Sequence, residues 1–144
     1  MEPRYVFKAM DVEGFSPKGA EGAYVSRLLV DRESVGSERL TVNLFTLRAG
    51  GHTELGSHPS PFDEFYYVLS GTGRLQLGSP AGVFALEPGT VAFIPKGTDH
   101  AVECDGGTDL ELITVMPEQP VPGANPIYDE RLREWGTSFR MRKT

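Results

Sequence analysis

Short apolar runs follow one another along most of this chain, at 24–30, 40–47, 64–69, 73–77, 83–86, 91–94, 100–104 and 110–115. They are rich in Val, Phe, Tyr, Leu and Thr, the side chains that fit a pleated, half-buried surface. Turn-forming residues close several of them, as in Ser70-Gly71-Thr72-Gly73, Glu87-Pro88-Gly89 and Asp105-Gly106-Gly107. Eight such runs predict an all-β domain, built as a barrel or a two-sheet jelly roll. Alternate residues of a strand share a face, so Glu64, Tyr66 and Val68 point one way while Phe65, Tyr67 and Leu69 point the other. By the same parity His100, Val102 and Cys104 share a face. Glu64 and His100 could then converge at one end of a hydrophobic barrel, where a carboxylate is costly to bury unless it is paired or metal-bound.

Past the last strand, Pro117, Pro120 and Pro122 predict an extended exit. A short helix follows: Asn125 caps it, Pro126 takes its first position, 127–135 continues it and Gly136 stops it in the left-handed conformation. Ile127 and Trp135 would anchor this helix to the barrel. The basic tail Arg140-Met141-Arg142-Lys143 is most simply a solvated end.

Composition narrows the class. The 144 residues suffice for one domain, 1–144, and Gly (17) and Pro (11) are spread between runs instead of forming a linker. Fourteen basic against 20 acidic side chains give a net charge of -6, the wrong sign for binding nucleic acid. Cys104 is the only cysteine, which excludes an intrachain disulfide, a CxxC pair and a multi-cysteine zinc site. The longest apolar run, 65–69, is far too short for a membrane span, and the opening residues lead into no signal-peptide core. The expectation is a soluble, cytoplasmic protein.

Two histidine segments carry the chemistry. Residues 89–104 read G-x5-P-x-G-x2-H-x3-C, with Gly89, Pro95, Gly97, His100 and Cys104 at the named positions. The other segment runs from Gly50 through Gly56-Ser57-His58 to Glu64 and, after six intervening residues, Gly71. Together they resemble the paired signature motifs of the cupin superfamily, G-x5-H-x-H-x(3,4)-E-x6-G and G-x5-P-x-G-x2-H-x3-N, over about residues 40–115, with 117–144 as a C-terminal extension. Two motifs in the right order in an all-β chain make a specific signal. The first motif is degenerate. In one register Gly56 stands where the family has its first histidine and His58 where it has its second; in another His58 is the first and Ser60 replaces the second. Both keep His58 and Glu64.

The resemblance implies a double-stranded β-helix and a divalent metal, Fe(II), Mn(II), Ni(II) or Zn(II), held by His58, Glu64 and His100. Two imidazoles and one carboxylate leave coordination positions for water or substrate, as in the facial triad of non-haem iron sites. Cupins with such sites include dioxygenases, decarboxylases and isomerases acting on small molecules, and the resemblance also favours a homodimer, as do the two apolar faces of 65–69. The competing reading is a cupin that binds a sugar or another small ligand without tightly held metal. Each residue has a plainer alternative: His58 beside Pro59 as a loop histidine, Glu64 as an exposed strand start, His100 as a structural histidine. His52, after Gly50-Gly51, is a substitute ligand only if its turn folds back. Cys104 and Tyr66 are pocket-lining candidates, with core packing the simpler role for Tyr66 and no base in view to make Cys104 a nucleophile. Arg27 and Arg48 would meet an anionic substrate only if they faced inward.

Overall fold

The computed structural model describes residues 5–53, 62–78, 80, 82–117, 123 and 125–143. Among these residues eight antiparallel strands form two sheets facing one another: β1 (Tyr24–Val30), β2 (Thr41–Leu47), β3 (Glu64–Ser70), β4 (Gly73–Leu77), β5 (Gly82–Leu86), β6 (Val91–Ile94), β7 (His100–Cys104) and β8 (Leu110–Met116). The larger sheet has the order β1-β2-β8-β3-β6 and the smaller β5-β4-β7. This is the jelly roll expected from the run pattern, and each strand lies within a residue of its sequence run.

The period-two argument holds along β3, where Glu64, Tyr66 and Val68 are buried and Phe65, Tyr67 and Leu69 are exposed. The inward residues of both sheets, among them Leu47, Val68, Leu75, Ile94, Val102 and Leu112, make one core cluster. The outward apolar residues of β3 meet those of the edge strand β6 in register, Phe65 opposite Phe93 and Tyr67 opposite Val91.

A single helical turn, α1 (Arg32–Val35), follows β1, and the C-terminal helix is α2 (Pro126–Trp135). The Asn125 side chain accepts from the Ile127 and Tyr128 N–H groups, Pro126 starts the helix, and Gly136 ends it at φ 72°. Trp135 packs edge-on against Phe15, with centroids 5.4 Å apart. Phe15 exchanges both backbone hydrogen bonds with Ser26, so the N-terminal segment extends the sheet beside β1. The tail is not a free solvated end: Met141 bridges Val12, the Arg142 N–H donates to the Asp11 carbonyl, and the Arg140 guanidinium lies over Trp135. Its apolar Met141 and backbone donors find partners in the N-terminal segment, which the run of basic residues concealed. Among the described residues no helix is long and apolar enough to cross a membrane.

One helical turn escapes sequence reading. Helix α1 (Arg32–Val35) is closed by a capping box between Asp31 and Ser34 and by Gly36 at φ 74°. Ser138 ties it to the C-terminal segment by hydrogen bonds to Asp31 and Glu33. Burial alone would raise the Glu33 carboxyl, but hydrogen bonds from Ser138 and Thr137 outweigh it and hold the group below its usual 4.5. A carboxyl lowered on folding contributes stability above its unfolded pKa and loses it as pH falls through the folded value. Ser138→Ala is therefore expected to destabilise the protein at pH 7 and to lose much of that difference below about pH 4.5, as read by urea unfolding across pH.

Candidate metal and ligand site

A cavity of about 450 Å³ opens between the two sheets. β1, β2, β8 and β3 supply one wall, β7 another, and α2 covers it through Ile127, Tyr128 and Arg131. The size suits a small organic ligand.

Glu64 and His100 begin β3 and β7, strands of opposite sheets, and both face this cavity. Their side chains, only 9% and 10% exposed, bring Glu64 Oε2 to 3.5 Å from His100 Nε2. The other ring nitrogen, Nδ1, lies 3.0 Å from the Thr98 carbonyl oxygen. A carbonyl only accepts, so Nδ1 carries a hydrogen, and Nε2 is the ring nitrogen turned towards the carboxylate. Two Lewis bases set face to face hold either a proton, as an imidazolium–carboxylate pair, or a cation. The donor set is that of a hard-to-borderline divalent metal, and the orienting carbonyl behind the imidazole is the arrangement found behind ligating histidines.

Tyr66 lies beside the pair, its ring edge-on to His100 with centroids 6.1 Å apart. Burial, and secondarily the Glu64 charge, push its phenol well above 10, so it stays a neutral hydroxyl. It lines the cavity and also belongs to the core cluster, combining the two roles weighed for it.

His58 lies outside the described residues, as do Gly56 and Ser60, and so does the choice between registers. His52 does come back to the cavity. Its segment pairs with β7, the Thr53 N–H donating to Val102 O at 2.9 Å and the Cys104 N–H to Gly51 O at 2.8 Å. It does not join Glu64 and His100 in a three-donor cluster among the described residues.

Cys104 is not at the cavity. Parity put it on the inward face correctly, but four residues along a strand are about 13 Å, and it reaches the opposite end of the barrel. There it is 2% exposed, packed in the core with its thiol donating to Thr108 O at 3.0 Å. Cys104→Ala is expected to leave metal and ligand binding unchanged and to cost about 1–2 kcal/mol of stability, one hydrogen bond plus a small void, measurable in urea.

Arg27 and Arg48 face outward, Arg27 donating to Val12 O and Arg48 lying 3.9 Å from Asp109. Among the described residues, the arginine that borders the cavity is Arg131, 2% exposed. A signal for it was present: Ile127, Arg131 and Trp135 are spaced by four, so a helix anchored by the first and last turns Arg131 inward too.

Two antiparallel sheets facing one another across a cavity, with a histidine and a carboxylate brought together in it, define a two-sheet jelly roll. The cupin domain family matches residues 43–116, and this chain belongs to that family. An oxalate-binding protein from Thermotoga maritima is 27% identical over 99 residues, 69% of this chain and 79% of that protein. The crystal structure of a predicted oxalate decarboxylase from Thermotoga maritima superposes with a TM-score of 0.65 at 25% identity, over 78% of this chain and 98% of the other. The polyketide cyclase RemF from Streptomyces resistomycificus shares the fold at 21% identity, TM-score 0.67, over 91% of this chain and 93% of its own.

Proposed function

We propose that this chain is a metal-binding cupin acting on a small, oxygen-rich organic molecule, with His58, Glu64 and His100 holding one Fe(II), Mn(II), Ni(II) or Zn(II). The observation that carries this reading is the 3.5 Å approach of Glu64 Oε2 and His100 Nε2 inside the cavity, with the Thr98 carbonyl holding the other ring nitrogen so that Nε2 is the one turned to the carboxylate. The oxalate-binding relative supports a ligand that presents two adjacent oxygens. A bound divalent metal supplies a Lewis acid for such oxygens and, if it is iron, access to dioxygen. The chain's own residues do the rest. Thr98 orients His100, Tyr66 offers a neutral hydroxyl beside the pair, and the apolar walls under α2 exclude water. Dioxygenase, isomerase and decarboxylase chemistries all start from this arrangement.

Elemental analysis of the purified protein, and of protein reconstituted with each ion, tests the reading. One metal per chain is expected, along with metal-dependent binding of α-keto acids, α-hydroxy ketones or catechols over mono-oxygenated analogues. No metal under any reconstitution would leave a metal-free binding barrel. The exposed Phe65, Tyr67, Val91 and Phe93 on β3 and β6 support pairing with a second copy of the chain. Light scattering at micromolar concentration is expected to give a dimer mass, and Phe93→Lys to shift it towards monomer.

A further inference from the structure

Arg131 reaches from α2 to the cavity wall and lies outside residues 43–116 that define the family match. One guanidinium nitrogen donates to Ser26 Oγ at 2.9 Å, and the Ser26 hydroxyl donates on to Asn43 Oδ1 at 3.1 Å. Asn43 thus accepts through its oxygen and keeps its amide N–H groups for the cavity it lines. The guanidinium also lies 5.4 Å from the centroid of the Phe15 ring. Among the described residues Ser26 is its one hydrogen-bond acceptor, for a group with five N–H donors. No described carboxylate lies within 4.0 Å of it. Asp31 is near enough to favour the charge, but its oxygens accept from the Ser34 N–H and the Ser138 hydroxyl.

Burial lowers the guanidinium to about 10, with Asp31 opposing, so it is still a cation at neutral pH. A buried cation with most of its donors unused is costly to hold without a counter-anion. The cavity is where one can enter. Its remaining wall is largely apolar, with Tyr24 and Phe45 stacked 4.9 Å apart and Leu28, Met116 and Ile127 around them.

The geometry points to Arg131, with Asn43 beside it, as the seat of a carboxylate belonging to the ligand, which makes the ligand an organic acid with an apolar or aromatic body. The seat uses α2, β1 and β2, whereas Glu64 and His100 come from β3 and β7. It rests on the reading of this cavity as the ligand site, and it does not require the metal.

Calorimetric titration of 3,4-dihydroxybenzoate and its neutral twin 3,4-dihydroxybenzamide, into metal-free and Mn(II)-loaded protein, tests it. Both probes carry the same adjacent hydroxyls, and only the acid carries the charge. The acid is expected to bind wild type about 10- to 100-fold more tightly than the amide, the range of a charge-assisted pair. Arg131→Met is expected to abolish that preference and Arg131→Lys to keep part of it. Equal affinity of acid and amide for wild type, or no measurable binding of the acid, overturns the seat even if Arg131→Met fails to fold. An acid preference with absolute affinities of both probes unchanged by Mn(II) upholds the seat and removes the metal reading. Mn(II)-dependent binding with no acid preference does the reverse.

Discussion

His100→Ala and Glu64→Gln are expected to fold and to bind their divalent metal more than about 100-fold more weakly than wild type. The size follows from the donor count. Disturbing only the groups behind a metal ligand typically costs about 10- to 100-fold in affinity, so removing one of the three proposed donors is expected to cost at least the upper end. The fold should persist because the core cluster draws on both sheets, around Leu47, Val68, Leu75 and Leu110, and neither Glu64 nor His100 belongs to it. Glu64→Gln keeps the volume while removing a buried negative charge, which often leaves an apo protein as stable as before or more so. The readout is linkage: metal at 100 times its Kd stabilises wild type by about 2.7 kcal/mol, and this gain should vanish in both variants while their metal-free unfolding curves stay close to wild type. Undiminished stabilisation by metal in either variant would remove that residue from the site.

Much of this site was legible because strands obey a strict period of two. Glu64 opening an otherwise apolar face, and His100 sharing a face with Val102, were enough to place both inside, and the packing of the two sheets face to face brought the starts of β3 and β7 together. Periodicity says which face a residue is on and not how far along the barrel it sits, which is why Cys104 was grouped with a cavity it does not reach. The misses share a different cause. Helix α1 has one turn and shows no period, and its capping box is visible only once Asp31 and Ser34 are placed. The N-terminal segment and the tail join the barrel through single bridges, Phe15 to Ser26 and Val12 to Met141, which leave no pattern in the sequence. Arg131 was passed over because charged residues on helices usually face water. Its spacing between Ile127 and Trp135 argued otherwise.

Gly71→Ala is expected to cost more than about 3 kcal/mol, and Gly97→Ala only about 1–2 kcal/mol, although both glycines belong to the two histidine segments and both have positive φ. At Gly97 (φ +77) a methyl group would meet nothing within 4 Å, so the cost is that of holding alanine in the left-handed region. At Gly71 (φ +82) the same methyl would lie 2.1 Å from the Asp109 carbonyl oxygen and 2.8 Å from Leu110 Cα, backbone atoms with no side chain to swing aside. The start of β8 would have to move. β8 pairs with β3 through Ser70↔Glu111 and on to Phe65↔Val115, so a displacement there travels along the ladder towards Glu64. The glycine seven residues beyond Glu64 thus has a physical reason: it lets β3 turn against β8 closely enough to fix the strand that carries the carboxylate. Urea unfolding is expected to rank the two variants in this order, and metal affinity is expected to fall in Gly71→Ala and to stay near wild type in Gly97→Ala. Equal unfolding costs would show that φ alone sets the price at both positions and that the close approach at Gly71 relaxes freely.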